Sequence, residues 1–82
     1  MKLVRNPLAK IRQAGGFATA QAAADKLGCS RVHLLNVERG RAGASWDLIS
    51  KMMAAYGATE TQIRVAVRKS RRELLRRMIE AA

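Results

Sequence analysis

The segment Thr19-Ala-Gln-Ala-Ala-Ala-Asp-Lys-Leu-Gly-Cys-Ser-Arg-Val-His-Leu-Leu-Asn-Val-Glu-Arg-Gly40 carries the strongest architectural signal in the chain. Ala20 to Leu27 is rich in alanine and has high helix propensity. Thr19 stands where a helix cap belongs, and Gly28 stops the run. Ser30 opens a second helix, Arg31 to about Arg39, which Gly40 closes. Leu34 and Val37 are three apart and share one face of it. Two helices joined by so short a turn must cross steeply, which sets conditions on particular side chains. Ala24 has to be small where the helices approach, and Gly28 has to accept a positive φ. Cys29 tucks a small apolar group under the turn, and Leu34 and Val37 anchor the second helix to a core. All five conditions are met at the spacing that a DNA-binding helix-turn-helix requires.

The same punctuation recurs on either side. Asn6-Pro7 combines a cap with a residue suited to the first helical position, so a short helix from Pro7 to about Ala14 is expected. It would bury Leu8 and Ile11 and end at Gly15-Gly16. After a short loop from Arg41 to Ala44, Ser45 caps a fourth helix with Asp47 in its first turn. Trp46, Ile49, Met52, Met53 and Tyr56 recur there at helical spacing, and Trp46 and Tyr56 are expected to pack in the core or between helices. Gly57 ends that segment. Thr59-Glu60-Thr61-Gln62 matches a capping box, and no glycine or proline interrupts the chain from there to about Glu80. No stretch alternates with period two, so no strand is expected. The fold class is all-α, a small bundle of five helices. It forms one domain over 1–82, with a basic arm at 1–6 (Lys2 and Arg5) and a C-terminal helix within 59–82.

Composition bounds the function. Lys and Arg number 16 against 6 Asp and Glu, giving a formal net charge of +10 on 82 residues. Hydrophobic residues make up 49% of the chain, too many for a disordered basic tail. So much positive charge on a compact module points to a polyanion, of which nucleic acid is the commonest. Charge by itself leaves a merely solvated surface or a membrane surface open. Cys29 is the single cysteine, so an intramolecular disulfide is excluded, and no Cys/His cluster could hold zinc. No apolar run approaches the ~18 residues of a spanning helix. The stretch Met1 to Pro7 contains no long apolar segment of the secretory kind, so a cytoplasmic, nucleoid-associated protein is expected. With one His and no paired acids or phosphate loop, no catalytic residue, metal or cofactor is expected, and an enzyme is the least favoured class.

Leu27-Gly28-Cys29-Ser30, then Leu34, then Val37-Glu38-Arg39-Gly40 resemble the helix-turn-helix of the Cro/C1-type (XRE, lambda-repressor-like) phage and bacterial repressors. Ser45, Trp46, Ile49, Met52, Tyr56 and Gly57 continue the resemblance into that family's fourth helix, so it spans roughly Leu8 to Ile63. Two positions depart from the family pattern. Ala20 stands where the family usually has a phosphate-binding Gln, with Gln21 next to it. Ala44 stands where a Pro often precedes the Ser of the loop.

The resemblance implies that the helix from Ser30 to about Arg39 lies in the major groove of DNA, exposing Arg31, Val32, Leu35 and Asn36 to base edges. Arg31 suits guanine O6 and N7, Asn36 suits adenine N6 and N7, and Val32 can touch a thymine methyl. Thr19, Gln21, Ser30, His33, Arg39 and Arg41 flank this face as candidate phosphate contacts. Blander readings exist for several of these: Arg31 as a solvated charge, Asn36 as an ordinary surface amide, Val32 and Leu35 as incidental apolar residues. His33 lacks a partner ligand and is no metal site. Glu38 is read as structural, bonded to a nearby Arg or backbone amide, and Cys29 as a core residue.

Beyond Ile63 the chain exceeds what the family's minimal core needs. Ile63, Val67, Ser70, Leu74 and Ala81 fall near heptad spacing, and Leu75, Met78 and Ile79 widen the apolar end. Seven Lys and Arg residues fill the other faces. This helix could pack back on its domain, pair with a second copy through Leu74, Leu75, Met78 and Ile79, or lay arginines on phosphates or an acidic partner. Dimerisation is the favoured reading. The function expected is sequence-specific binding of duplex DNA by a homodimeric transcriptional regulator, a repressor by analogy with the family. An antitoxin or adaptor with an acidic protein partner, or a nonspecific nucleic-acid binder, are the alternatives.

Overall fold

Each helix start in the computed structural model, which describes residues 6–81, is written by a capping side chain. The arm at Lys2 and Arg5 lies outside the described residues. Asn6 Oδ1 accepts from the Ala9 amide at 3.0 Å, opening α1 (Pro7–Ala14). Thr19 Oγ1 accepts from Ala22 at 3.2 Å and opens α2 (Ala20–Leu27). Ser30 Oγ does the same for α3 (Arg31–Glu38), and Ser45 Oγ for α4 (Trp46–Tyr56). The capping box before α5 (Glu60–Ala81) is closed both ways. Thr59 Oγ1 accepts from the Gln62 amide at 3.1 Å, and Gln62 Oε1 accepts from the Thr59 amide at 2.8 Å. Each cap satisfies amides that a helix leaves unpaired. There is no strand among the described residues, so the all-α expectation holds.

The helices bury one shared core: Leu8 from α1, Ala23, Ala24 and Leu27 from α2, and Leu34 and Val37 from α3. Ala20 from α2, Leu48, Ile49, Met52 and Tyr56 from α4 and Ile63 and Ala66 from α5 complete it. Gly28 sits in the left-handed region at φ 75°, and its amide bonds the Ala24 carbonyl at 2.8 Å, which closes α2 and turns the chain into α3. Phe17 packs on Tyr56 with ring centroids 5.8 Å apart and planes tilted by 56°.

Two charged residues lie inside this core. Arg12 is on the buried side of α1, four residues after Leu8. Its Nε donates to Glu38 Oε2 at 2.8 Å, and its Nη1 donates to the Phe17 carbonyl at 2.9 Å. One guanidinium therefore links α1, the α1–α2 connection and the last turn of α3. Glu38 is structural, as its position suggests, and Arg12 is the partner that the sequence left unnamed.

Trp46 corrects an expectation. It is 57% exposed at the start of α4, with the Arg64 guanidinium 5.9 Å from its ring centroid, an exposed cation–π contact. Arg64 also pairs with Glu60 one turn back on α5, at 2.6 Å. Trp46 is the first residue of α4, so its side chain falls at the rim, and the core is supplied by Leu48, Ile49, Met52 and Tyr56 further along.

The described residues extend 37 Å along their longest axis, and α5 is the longest helix. Its 22 residues, at 1.5 Å of rise each, span about 33 Å. Ile63, Ala66 and Ser70 dock it against the bundle, and from Leu75 to Ala81 every residue is exposed. The joint with the end of α3 is made backbone to backbone at Gly40. A Cβ there would lie 2.6 Å from the Ser70 carbonyl oxygen and 2.7 Å from Arg71 Cα, and φ is +81°. Both demands select glycine.

Arg12→Met leaves the Glu38 carboxylate buried without its cation and is expected to cost about 3–5 kcal/mol in denaturant unfolding. Adding Glu38→Leu should recover much of that loss, because no stranded charge remains. Tyr56 gives a pH test. Burial and the nearby Glu38 charge, partly opposed by Arg12, push its hydroxyl up from 10.0 to about 12. A raised folded value favours the neutral form, so this contribution is whole below pH 10 and is lost as pH rises toward about 12. Thermal unfolding of the wild type and Tyr56→Phe across that window should show a steeper alkaline fall in the wild type.

Candidate nucleic-acid interface

The rotation of α3 about its own axis determines which side chains reach outward. Leu34, Val37 and Glu38 are buried, three and four residues apart, and define its inner face. Val32, Asn36 and Arg39 lie at the same spacings on the opposite face. Val32 is 64% exposed. Asn36 is half-buried, and its carbonyl accepts the amides of Arg41 at 2.8 Å and Ala42 at 3.2 Å. That residue thus fixes the loop carrying Arg41 while its amide side chain stays on the outer face. Arg31 and His33 are exposed in the first turn.

Leu35 departs from the expected pattern. It is half-buried and packs against the core from the side of α3, so it is not part of a freely exposed reading face. One residue is a turn of 100°, which carries Leu35 away from Asn36 and toward the bundle.

The candidate phosphate contacts divide by geometry. Thr19 and Ser30 are exposed, and each hydroxyl oxygen already accepts an amide as a helix cap. A capping hydroxyl keeps its proton to donate outward, and it sits at the partly positive end of its helix. Arg39 and Arg41 are exposed and make no ion pair among the described residues. Gln21 is exposed, but its amide donates to Asp25 Oδ1 at 2.9 Å on the same helix. Ala20 is buried, and Gln21, one residue on, is exposed on a different face of α2. Cys29 is half-buried, and burial pushes its thiol up, opposite to a reactive thiolate.

This arrangement has a counterpart among known domains. The model of a helix-turn-helix domain family, of the XRE/Cro-like type, matches residues 7–66. The chain belongs to this family. No curated protein and no solved structure matches it. Family membership makes this a helix-turn-helix domain, within whose matched residues α2 and α3 lie, and supports DNA as its partner. The family match stops at Ala66, within α5. The remainder of α5 is therefore a feature of this helix-turn-helix protein outside the matched region. Leu74 is half-buried there, while Leu75, Met78 and Ile79 are exposed, Ile79 by 76%. Among the described residues no group of acidic, His and Cys side chains is placed to hold a metal, and no helix is long and apolar enough to cross a membrane.

The Ser30 cap joins structure to site. Ser30→Ala removes the acceptor for the His33 amide and is expected to lower stability by about 1 kcal/mol. Amide exchange should quicken first at Val32 and His33, before the core of α2.

Proposed function

We propose that the protein is a sequence-specific duplex-DNA-binding transcriptional regulator that acts as a homodimer, with α3 in the major groove. One observation carries the reading: α3 turns Val32 and Asn36 outward from a buried Leu34–Val37–Glu38 face, with exposed Arg31 beside them. Around that face stand the two capped helix starts at Thr19 and Ser30 and the exposed cations Arg39 and Arg41. In this reading Arg31 and Asn36 bind base edges, and Val32 meets a thymine methyl. Leu35 contributes at most the margin of that contact. Thr19, Ser30, His33, Arg39 and Arg41 hold phosphates and so set the register of the helix on the duplex. The protein works at the nucleoid and represses by occluding a promoter, as an autoregulator of a phage or mobile-element operon.

The exposed Leu75, Met78 and Ile79, with Leu74 at their edge, support the homodimer, because contiguous apolar side chains on a projecting helix lower their free energy by being covered. Two copies would place two α3 helices on half-sites about one helical turn apart. The arginines around the same helix favour a second reading, in which an acidic protein covers that end and the protein is an antitoxin or adaptor that also binds DNA.

Selection from a random duplex pool at near-physiological salt should enrich an inverted repeat, and its spacing gives the dimer geometry. Arg31→Ala and Asn36→Ala should each relax preference at particular positions by about 1–3 kcal/mol. Arg41→Ala should weaken all sequences alike and flatten the salt slope by about one. Unchanged discrimination in both Arg31→Ala and Asn36→Ala would refute the assignment of α3.

A further inference from the structure

Where the end of α3 meets α5, the surface folds into a cavity of about 230 Å³ lined by Arg39, Arg41, Ser70, Glu73, Leu74 and Arg77. The first two come from the close of α3 and its loop, and the other four from one side of α5. The backbone contact of Gly40 with Ser70 and Arg71 brings these two groups together. We propose that this cavity is a binding subsite for a phosphate group, which joins α5 to the phosphate contacts already placed on Arg39 and Arg41.

The charge distribution is the first argument. Three guanidinium groups face one carboxylate, and that carboxylate is already engaged. Glu73 Oε1 lies 3.5 Å from Arg77 Nε, and Glu73 Oε2 bonds Arg76. The hydrogen bond from Arg76, with the charges of Arg76 and Arg77, holds Glu73 below the usual carboxylate range, so it stays ionised and keeps Arg77 beside the cavity. Arg39 and Arg41 have no acidic partner among the described residues. The cavity therefore carries two uncompensated positive charges, on a side-chain type whose forked donors match phosphate oxygens.

The second argument is Ser70. It is 3% exposed, in the wall of this cavity, and its Oγ has no hydrogen-bond partner among the described residues. Buried hydroxyls are nearly always bonded, and leaving one unbonded is costly. Glu38 Oε1 and the Tyr56 hydroxyl also lack partners among the described residues, but of these three residues only Ser70 lines this cavity, where a bound phosphate would bring an acceptor to its wall.

A phosphate can come from two sources: the DNA backbone beside the groove that α3 occupies, or a free phosphorylated small molecule. The backbone source rests on the DNA-binding reading, while the cavity chemistry does not. Two experiments on the full chain separate them. The first titrates inorganic phosphate into the free protein against a chloride reference and follows the arginine Nε resonances by NMR. Arg39, Arg41 and Arg77 should shift selectively, with Arg64, on the Trp46 side, as the internal control. The second compares duplex binding of Arg77→Gln and Arg64→Gln across salt concentrations. Arg77→Gln should bind about tenfold more weakly and show a salt slope lower by about one, beyond any change in the charge-matched control. Effects in both experiments, or in the duplex alone, support a backbone subsite. Selective phosphate shifts with no special effect of Arg77→Gln, or with no DNA binding at all, support a site for a free phosphorylated ligand. Absence of selective shifts, together with Arg77→Gln behaving like Arg64→Gln, overturns the proposal.

Discussion

The bundle depends on a guanidinium and a carboxylate held out of water. Moving two such charges into a protein interior costs several kcal/mol for each ion, and attraction between them offsets this only if the geometry is good. Here Arg12 donates to Glu38 Oε2 and to the Phe17 carbonyl, while Glu38 Oε1 is buried without a hydrogen-bond partner among the described residues, so the attraction is only partly matched by hydrogen bonds. The pair is also directional in a way that apolar contacts are not. Leu34 and Val37 would tolerate small rotations of α3, but Glu38 meets Arg12 at one setting. That setting turns Val32 and Asn36 to the outside. The interior charge pair and the outward face of α3 are therefore two sides of one helix, fixed by the same contact.

The run Glu38-Arg39-Gly40 shows how three adjacent residues divide the work at the end of this helix. Glu38 points inward to Arg12. Arg39 points outward into solvent. Gly40 carries a positive φ and lets the chain lie directly on the backbone of α5. The Asn36 carbonyl then gathers the Arg41 and Ala42 amides, so the loop leaves α3 in a set direction. Arg41 is thereby placed beside Arg39 and near Ser70 and Arg77, which belong to a distant part of the chain.

Most of the visible ion pairing lies on the surface of α4 and α5, at spacings of three or four residues. Such exposed pairs contribute little to stability. Their consequence is spatial. Acidic residues neutralise part of the positive charge along these helices, while Arg31, Arg39 and Arg41 around α3 pair with no acid among the described residues. In a chain with a net charge of +10, uncompensated cations thus stand both around the helix-turn-helix and on α5, where Arg68, Lys69, Arg71 and Arg72 also lack an acidic partner among the described residues. That distribution favours a salt-sensitive attraction to the phosphates of nucleic acid.

The helix starts and the helix-turn-helix are legible in the sequence because they depend on local chemistry. Asn6, Thr19, Ser30, Ser45 and Thr59 cap helices through amides in the adjoining turn, and Gly28 turns the chain at the position its flexibility suits. The inner face of α3 follows from the spacing of Leu34 and Val37. Spacing does not give the exact extent of the outer face: it marks Leu35 as exposed, although α3 lies low enough against the bundle to half-cover it. Trp46 shares a helical stripe with Ile49 and Met52, which points it to the interior, yet the first turn of α4 stands at the rim. Arg12 looks like one more surface cation, since nothing nearby in the chain announces Glu38, 26 residues away. The cavity between Arg39, Arg41 and Arg77 has the same origin. By itself, then, the sequence determined the helices, the turn and the face that the second helix turns inward. Only tertiary structure decided which charges meet, which apolar residues stay in water and which arginines share a cavity, because those outcomes depend on distances between segments that the chain folds together from afar.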